Sequence, residues 1–173
     1  NRGARDGQAR GLKGDAMTKP RVLVTRRWPD AVEAKMAQVF DLHLNTSDQP
    51  LSQADLRDAM GHYDAILPTV TDRLPAAVFD GPATRTRILA NYGVGFAHID
   101  TEAAKGRGIA VTNTPDVLSE CTADIAMTLL LMVARRAGEG ERELREGRWT
   151  GWRPTHLIGT KVSGATLGII GFG

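Results

Sequence analysis

Asn91-Tyr92-Gly93-Val94-Gly95-Phe96-Ala97-His98-Ile99-Asp100 is the stretch on which the reading of this chain turns. A short apolar run, Ile88-Leu89-Ala90, precedes it and reads as a buried strand. Thr101 to Arg107 follow as a short helical stretch, with Asp100 placed to cap the N-terminus. Between strand and helix, Gly93 and Gly95 leave bare backbone at a strand's C-terminal end, where open α/β sheets bind ligands. Two readings of these glycines stand side by side. They can supply the positive φ of a tight turn, or they can let a small anion reach main-chain N–H groups with no Cβ in the way.

Upstream, Arg21 to Thr25 is a β-branched run and predicts a first strand. Pro29-Asp30 opens a helix with Val32, Met36, Val39 and Phe40 at helical spacing, and Asp41 to Leu44 is a candidate second strand. Ser52 to Met60 predicts a helix in which Ser52 and Asp55 form a capping box and Leu51 and Leu56 the matching hydrophobic staple. A third strand over Ala65 to Pro68 leads into the loop Thr69 to Leu74, and Pro75 begins another helical turn. The fourth strand, Arg87 to Ala90, enters the glycine turn, and a fifth follows over Ile109 to Thr112. Strands alternate with helices through short connections, which implies a parallel sheet with helices on both faces.

Asn113-Thr114-Pro115-Asp116 interrupts this alternation. Leu118 to Ala137 then predicts the longest helix, apolar nearly all round and expected to be buried between two bodies. Gly138 to Arg148 reads as a solvated helix and Trp149 to Pro154 as an irregular aromatic loop. Ala165 to Ile170 is a candidate buried strand running into Gly171-Phe172-Gly173.

The 173 residues are 42% hydrophobic and 24% charged, an ordinary globular composition. The formal net charge of +2 is carried by residues 1–16, where Arg2, Arg5, Arg10 and Lys13 face only Asp6 and Asp15. The rest is neutral, so the charge gives no argument for a nucleic-acid partner. Residues 1–16 have no apolar period and read as a disordered tail, with Met17 as a natural start. A single cysteine, Cys121, suits a reducing compartment and reads as a small core residue. No run reaches the roughly 18 apolar residues of a membrane span, and no apolar signal region is present, so the expectation is a cytoplasmic protein.

Gly171-x-Gly173 after an apolar strand is the first half of a dinucleotide-binding fingerprint. The first glycine permits the tight turn and the second lets the backbone approach a pyrophosphate. A strand that merely ends in Gly-x-Gly is the competing reading.

Taken together, the Gly-Val-Gly turn, the phrase Thr112-Asn113-Thr114-Pro115-Asp116-Val117-Leu118, a helix beginning Ser-Glu-Cys-Thr-Ala-Asp, and Leu167-Gly168-Ile169-Ile170-Gly171-Phe172-Gly173 resemble the D-isomer-specific 2-hydroxyacid dehydrogenases over residues 17–173. Within that family, Trp149-Thr150-Gly151-Trp152-Arg153-Pro154 followed by His156-Leu157-Ile158-Gly159 is most similar to the glyoxylate/hydroxypyruvate reductases. The resemblance implies a flavodoxin-like substrate-binding domain over 17–117. The linking helix, loop and first strand of a Rossmann NAD(P)-binding domain would occupy 118–173. It implies that Val94 and Gly95 hold the substrate carboxylate through backbone N–H groups, that residues 67–72 border the substrate, and that Thr122 lies beside the nicotinamide and ribose. It further implies that Gly171 and Gly173 face the pyrophosphate of NAD or NADP, and that Trp152 closes the neighbouring subunit's pocket in a homodimer.

The family's catalytic Arg, Glu and His lie downstream of the fingerprint, so none is expected here and the chain alone is expected to be inactive. His43, His62, His98 and His156 accordingly read as turn or packing residues, with His98 capping or packing the helix after the glycine turn. Arg26-Arg27 and Arg135-Arg136 read as solvated or helix-end charges. A dinucleotide-sensing regulator on the same fold, keeping the glycine turns without catalysis, is the alternative function. No metal site is expected.

Overall fold

In a computed structural model of the chain, residues 18–82 and 84–171 are described. The expectations for the tail 1–16, for Met17 and for Gly173 fall outside them. The chain divides into two compact units, the first reaching to Thr114 and the second starting at Pro115.

The first unit is built on five short parallel strands: β1 (Arg21–Val24), β2 (Asp41–Leu44), β3 (Ala65–Leu67), β4 (Ile88–Ala90) and β5 (Ala110–Thr112). Their order in the sheet is β2-β1-β3-β4-β5, the flavodoxin-like arrangement. Successive side chains of a strand point to opposite faces, and β1 divides accordingly. Leu23 joins one apolar cluster with Leu56, Ile66, Val78, Leu89 and Ala104. Val22 and Val24 join the other, with Leu67 and the partly buried Trp28, Met36 and Phe40. Helices α2 (Gln53–His62), α3 (Ala76–Phe79) and α4 (Thr101–Gly106) contribute to the first cluster, and α1 (Asp30–Val39) to the second. Fully burying a side chain such as Leu56, Ile66 or Leu89 contributes about 1.5–3 kcal/mol.

Local chemistry sets the helix starts. Ser52 accepts from the Asp55 N–H while the Asp55 carboxylate accepts from the Ser52 N–H, closing the capping box. The Asp100 side chain accepts from the Ala103 N–H and starts α4. Buried Glu33 in α1 turns back to the segment after β1, taking the Arg27 guanidinium and, at 2.7 Å, the Trp28 N–H. Arg26 is bound to Asp48, so both arginines expected to be solvated are paired and brace that loop.

The second unit corrects three expectations. The long helix ends earlier, as α5 (Ser119–Ala134), because Arg136 takes a left-handed φ of 54° and α6 (Ala137–Arg145) starts anew. Within this unit the burial expected of that helix is not met. No residue of α5 is buried, and Cys121 is exposed rather than core. Apolar residues run all round α5, and α6 with the loop after it cannot cover every side. Lastly, residues 165–170 form no strand, because nothing among the described residues pairs with them in a ladder. No helix among the described residues is long and apolar enough to cross a membrane.

Candidate functional site

The order β2-β1-β3-β4-β5 puts a switch point between β1 and β3, and the segments leaving their C-terminal ends meet above it. The Thr25 N–H donates to the Leu67 carbonyl, and the Thr25 hydroxyl lies 2.5 Å from Asp72 Oδ2. The same oxygen accepts from the Thr69 N–H at 2.8 Å. Asp72 is fully buried, and its Oδ1 has no partner among the described residues. This hydrogen-bonded plug occupies the switch point itself and leaves the next position, above β3 and β4, for the glycine loop.

Two segments run side by side there. Tyr92 forms a parallel bridge with Thr69, and its N–H donates to the Pro68 carbonyl. Further on, Leu74 bridges Ile99, the Leu74 N–H donates to the His98 carbonyl, and the Asp100 N–H returns to Leu74. Residues 67–74 and 91–100 are therefore stitched together at both ends. Trp28 stacks on Tyr92 with ring centroids 4.7 Å apart, bringing the segment after β1 to the same rim.

Gly93 and Gly95 do different jobs. Neither is among the positive-φ residues, so the turn reading of the glycines does not explain them. A Cβ at Gly93 would come within 2.7 Å of Val70 Cγ1, so a side chain here would require Val70 to shift. A Cβ at Gly95 would meet nothing within 4 Å. Neither backbone conformation nor packing within the described residues calls for glycine at 95.

The hydrogen bonds of the loop are one-sided. The Gly93 carbonyl accepts from Asn91 Nδ2 at 3.1 Å and from the Thr114 N–H. The Val94 carbonyl accepts from Asn113 Nδ2 at 2.8 Å, and the Gly95 carbonyl from Asn91 Nδ2 at 3.0 Å. By contrast, no backbone N–H from Val94 through His98 has a partner among the described residues. Acceptors are consumed and donors are left over, a polarity suited to an anion.

His98 does not cap α4, which Asp100 does. Its Nε2 lies 3.0 Å from Asn91 Oδ1. Because Asn91 Nδ2 faces two carbonyls, its Oδ1 faces the imidazole, and Nε2 carries the proton. Burial pushes the His98 imidazole below its ordinary range, against the raising effect of the Asp72 carboxylate, which favours that neutral form.

The remaining expected site residues belong to the second unit. Thr122 is exposed in the first turn of α5, its N–H bonded to the Leu118 carbonyl. Trp152 is 84% exposed, in a loop whose Arg153 and His156 both reach the buried Glu143 of α6. Gly171 has φ of 82°, a left-handed conformation that a side chain would strain. That conformation fits the turn-forming first glycine of a dinucleotide fingerprint. Among the described residues no group of His, Cys, Asp and Glu is arranged to hold a metal ion. Missed from the sequence were Asn91, Asn113 and Thr25, while Asp72 entered only as the end of the 67–72 loop. A polar residue directly after an apolar strand, at the start of the glycine turn, was the available signal for Asn91 alone.

Comparison with known proteins agrees with the fold. Residues 22–169 match the family profile of the D-isomer specific 2-hydroxyacid dehydrogenase catalytic domain. A glyoxylate reductase of Korarchaeum cryptofilum is 44% identical over 156 residues, covering 90% of this chain and 47% of that protein. A solved Polaromonas protein assigned as a D-isomer specific, NAD-binding 2-hydroxyacid dehydrogenase superposes with a TM-score of 0.77 at 37% identity, over 82% of this chain and 44% of its own. An NADPH-dependent glyoxylate/hydroxypyruvate reductase of Sinorhizobium meliloti, solved with NADP and malonate, gives a TM-score of 0.59 at 34% identity, over 76% of this chain and 40% of its own. The chain spans about half the length of the curated relatives it matches.

Proposed function

This chain belongs to the D-isomer-specific 2-hydroxyacid dehydrogenases, and from that premise we propose that it is the substrate-binding part of an NAD(P)-dependent reductase of small 2-keto acids, glyoxylate and hydroxypyruvate foremost. The observation that carries the proposal is the glycine loop. The carbonyls of Gly93, Val94 and Gly95 are engaged, the N–H groups from Val94 through His98 have no partner among the described residues, and neither packing nor a positive φ there calls for glycine at 95.

In this reading Val94 and Gly95 donate to the substrate carboxylate and so fix the keto carbon relative to the rim. Charge-assisted hydrogen bonds of this kind contribute about 1.5–3 kcal/mol. When bound, a reduced nicotinamide would supply the hydride for reduction of the keto carbon to the D-2-hydroxy acid. Gly171 makes the turn toward the dinucleotide pyrophosphate, with Gly173 as the second glycine, and Thr122 borders the nicotinamide and ribose. The cation and general acid that polarise and protonate the carbonyl come from outside residues 18–171. Trp152, presented by a loop braced on Glu143, closes the pocket of the neighbouring subunit in a homodimer. The apolar surface of α5, including Ile125, Leu129 and Val133, joins that interface.

The test uses the whole protein with NADH or NADPH and either glyoxylate or hydroxypyruvate, following reduced-nicotinamide absorbance. Turnover with one of the two acids is expected. Absence of turnover with both acids and both nucleotides refutes the reading. Sedimentation equilibrium checks the dimer, and a strictly monomeric protein at micromolar concentration removes Trp152 from the partner's site.

A further inference from the structure

A trans peptide is planar, and its C=O and N–H point in opposite directions. The carbonyl of Gly93 and the N–H of Val94 share one such plane, and the carbonyl of Val94 and the N–H of Gly95 share the next. Whatever holds the first carbonyl inward therefore aims the first N–H outward, and likewise for the second pair. Asn91 Nδ2 holds the Gly93 carbonyl, and Asn113 Nδ2 holds the Val94 carbonyl. We propose that Asn91 and Asn113 are the positioning residues of the anion loop, each setting one peptide plane so that Val94 and Gly95 present their N–H groups to the substrate carboxylate. The proposal rests on the reading of this loop as the carboxylate site.

The two asparagines are not equivalent. Asn91 is only 2% exposed, and each of its polar atoms is committed. Nδ2 donates to the Gly93 and Gly95 carbonyls, and Oδ1 accepts from neutral His98. The plane it sets has a second support, because the Thr114 N–H also donates to the Gly93 carbonyl at 3.1 Å. Asn113 is half-buried, and among the described residues its carboxamide is the sole partner of the Val94 carbonyl. Removing Asn113 should release the Gly95 N–H with little effect on the core, whereas removing Asn91 should cost fold stability before it costs aim. A purely structural role predicts the reverse ranking, in which the more buried residue matters more to every measurement.

The experiment uses the whole protein and steady-state kinetics at saturating reduced nucleotide, with melting temperature measured in parallel. A net hydrogen bond of about 0.5–1.5 kcal/mol corresponds to roughly a two- to tenfold change in an equilibrium constant. Asn113→Leu is therefore expected to raise KM for the keto acid about two- to tenfold, leaving the nucleotide KM and the melting temperature close to wild type. Asn113→Asp adds a readout that loosened packing would not move. At neutral pH its carboxylate cannot donate to the Val94 carbonyl and KM is raised. As pH falls through the carboxyl titration the protonated side chain donates again, and the ratio of variant to wild-type KM declines toward one. Asn91→Leu is expected mainly to lower the melting temperature. Wild-type keto-acid KM in both Asn113 variants overturns the proposal, as does a rise in nucleotide KM equal to that for the keto acid. A wild-type protein without keto-acid turnover overturns the carboxylate reading and this proposal with it, and is told apart because it requires no variant.

Discussion

Gly95→Ala separates folding from function at a single atom. Apart from residues 94–96 themselves, no heavy atom of the described residues lies within 4 Å of the position the new Cβ would take, and the backbone at 95 is outside the positive-φ region. On stability alone the exchange is favourable. An alanine at a compatible site narrows the unfolded ensemble and stabilises by about 0.4–1 kcal/mol. The melting temperature should hold or rise by a few degrees, given about 2–4 °C per kcal/mol for a protein larger than 150 residues. Substrate binding should move the other way. A methyl group beside the Gly95 N–H obstructs a carboxylate that must come within hydrogen-bonding distance. Losing one charge-assisted bond of about 1.5–3 kcal/mol raises KM by roughly tenfold to a hundredfold. Gly95→Val should be steeper still. The assay pairs thermal melting with keto-acid KM on the whole protein. Unchanged KM in Gly95→Val refutes the carboxylate site. A clear loss of stability in Gly95→Ala refutes the claim that glycine at 95 is unneeded by the fold.

Other outcomes follow from neighbouring contacts. Gly93→Ala drives a Cβ into Val70 Cγ1 and should destabilise by about 1–3 kcal/mol, with Val70→Ala in the same protein restoring most of it; chemical denaturation of the single and double variants measures the coupling. Thr25→Val leaves Asp72 Oδ2 with the Thr69 N–H alone and should cost about 1–3 kcal/mol, read from the denaturation midpoint. Glu33 is held below the usual carboxylate range, first by its hydrogen bonds from Arg27 and also by the Trp28 N–H, and Asp64 likewise by Arg85 and the Arg21 N–H. A depressed folded pKa means stability that is complete above the unfolded value and lost as pH falls through the folded one. The protein should therefore weaken on acidification below the usual carboxylate range. Glu33→Gln should be less stable at neutral pH and show a shallower acid limb, and parallel limbs would remove Glu33 from the account.

The strands and helix starts of the first unit were legible because each rests on residues close in sequence. The Ser52–Asp55 capping box and the Asp100 cap are settled within one helical turn, and the β-branched run at β1 needs no distant information. The aim of the glycine loop was not legible. The Val94 carbonyl is held by Asn113, which reaches back from beyond β5, and the plug beside the loop is closed by Thr25, which meets Asp72 across the sheet. Tertiary contact also decided the failures. Ala165 to Ile170 have the composition of a strand, but a strand exists only where a neighbour completes its hydrogen bonds. An all-round apolar helix implied burial, yet burial requires covering surfaces that α6 and its loop do not provide for α5.

The stitching of segments 67–74 and 91–100 at both ends has a consequence for how this fold can vary. The spans between the stitches, Thr69 to Leu74 and Tyr92 to Ile99, are arms of one closed frame. Lengthening one arm alone would push its far stitch out of register or buckle the arm, because Leu74 is hydrogen-bonded to both His98 and Asp100. Insertions and deletions in the two loops should therefore be inherited as matched pairs. A designer grafting the glycine loop onto another parallel sheet would need to carry the 67–74 arm along with it.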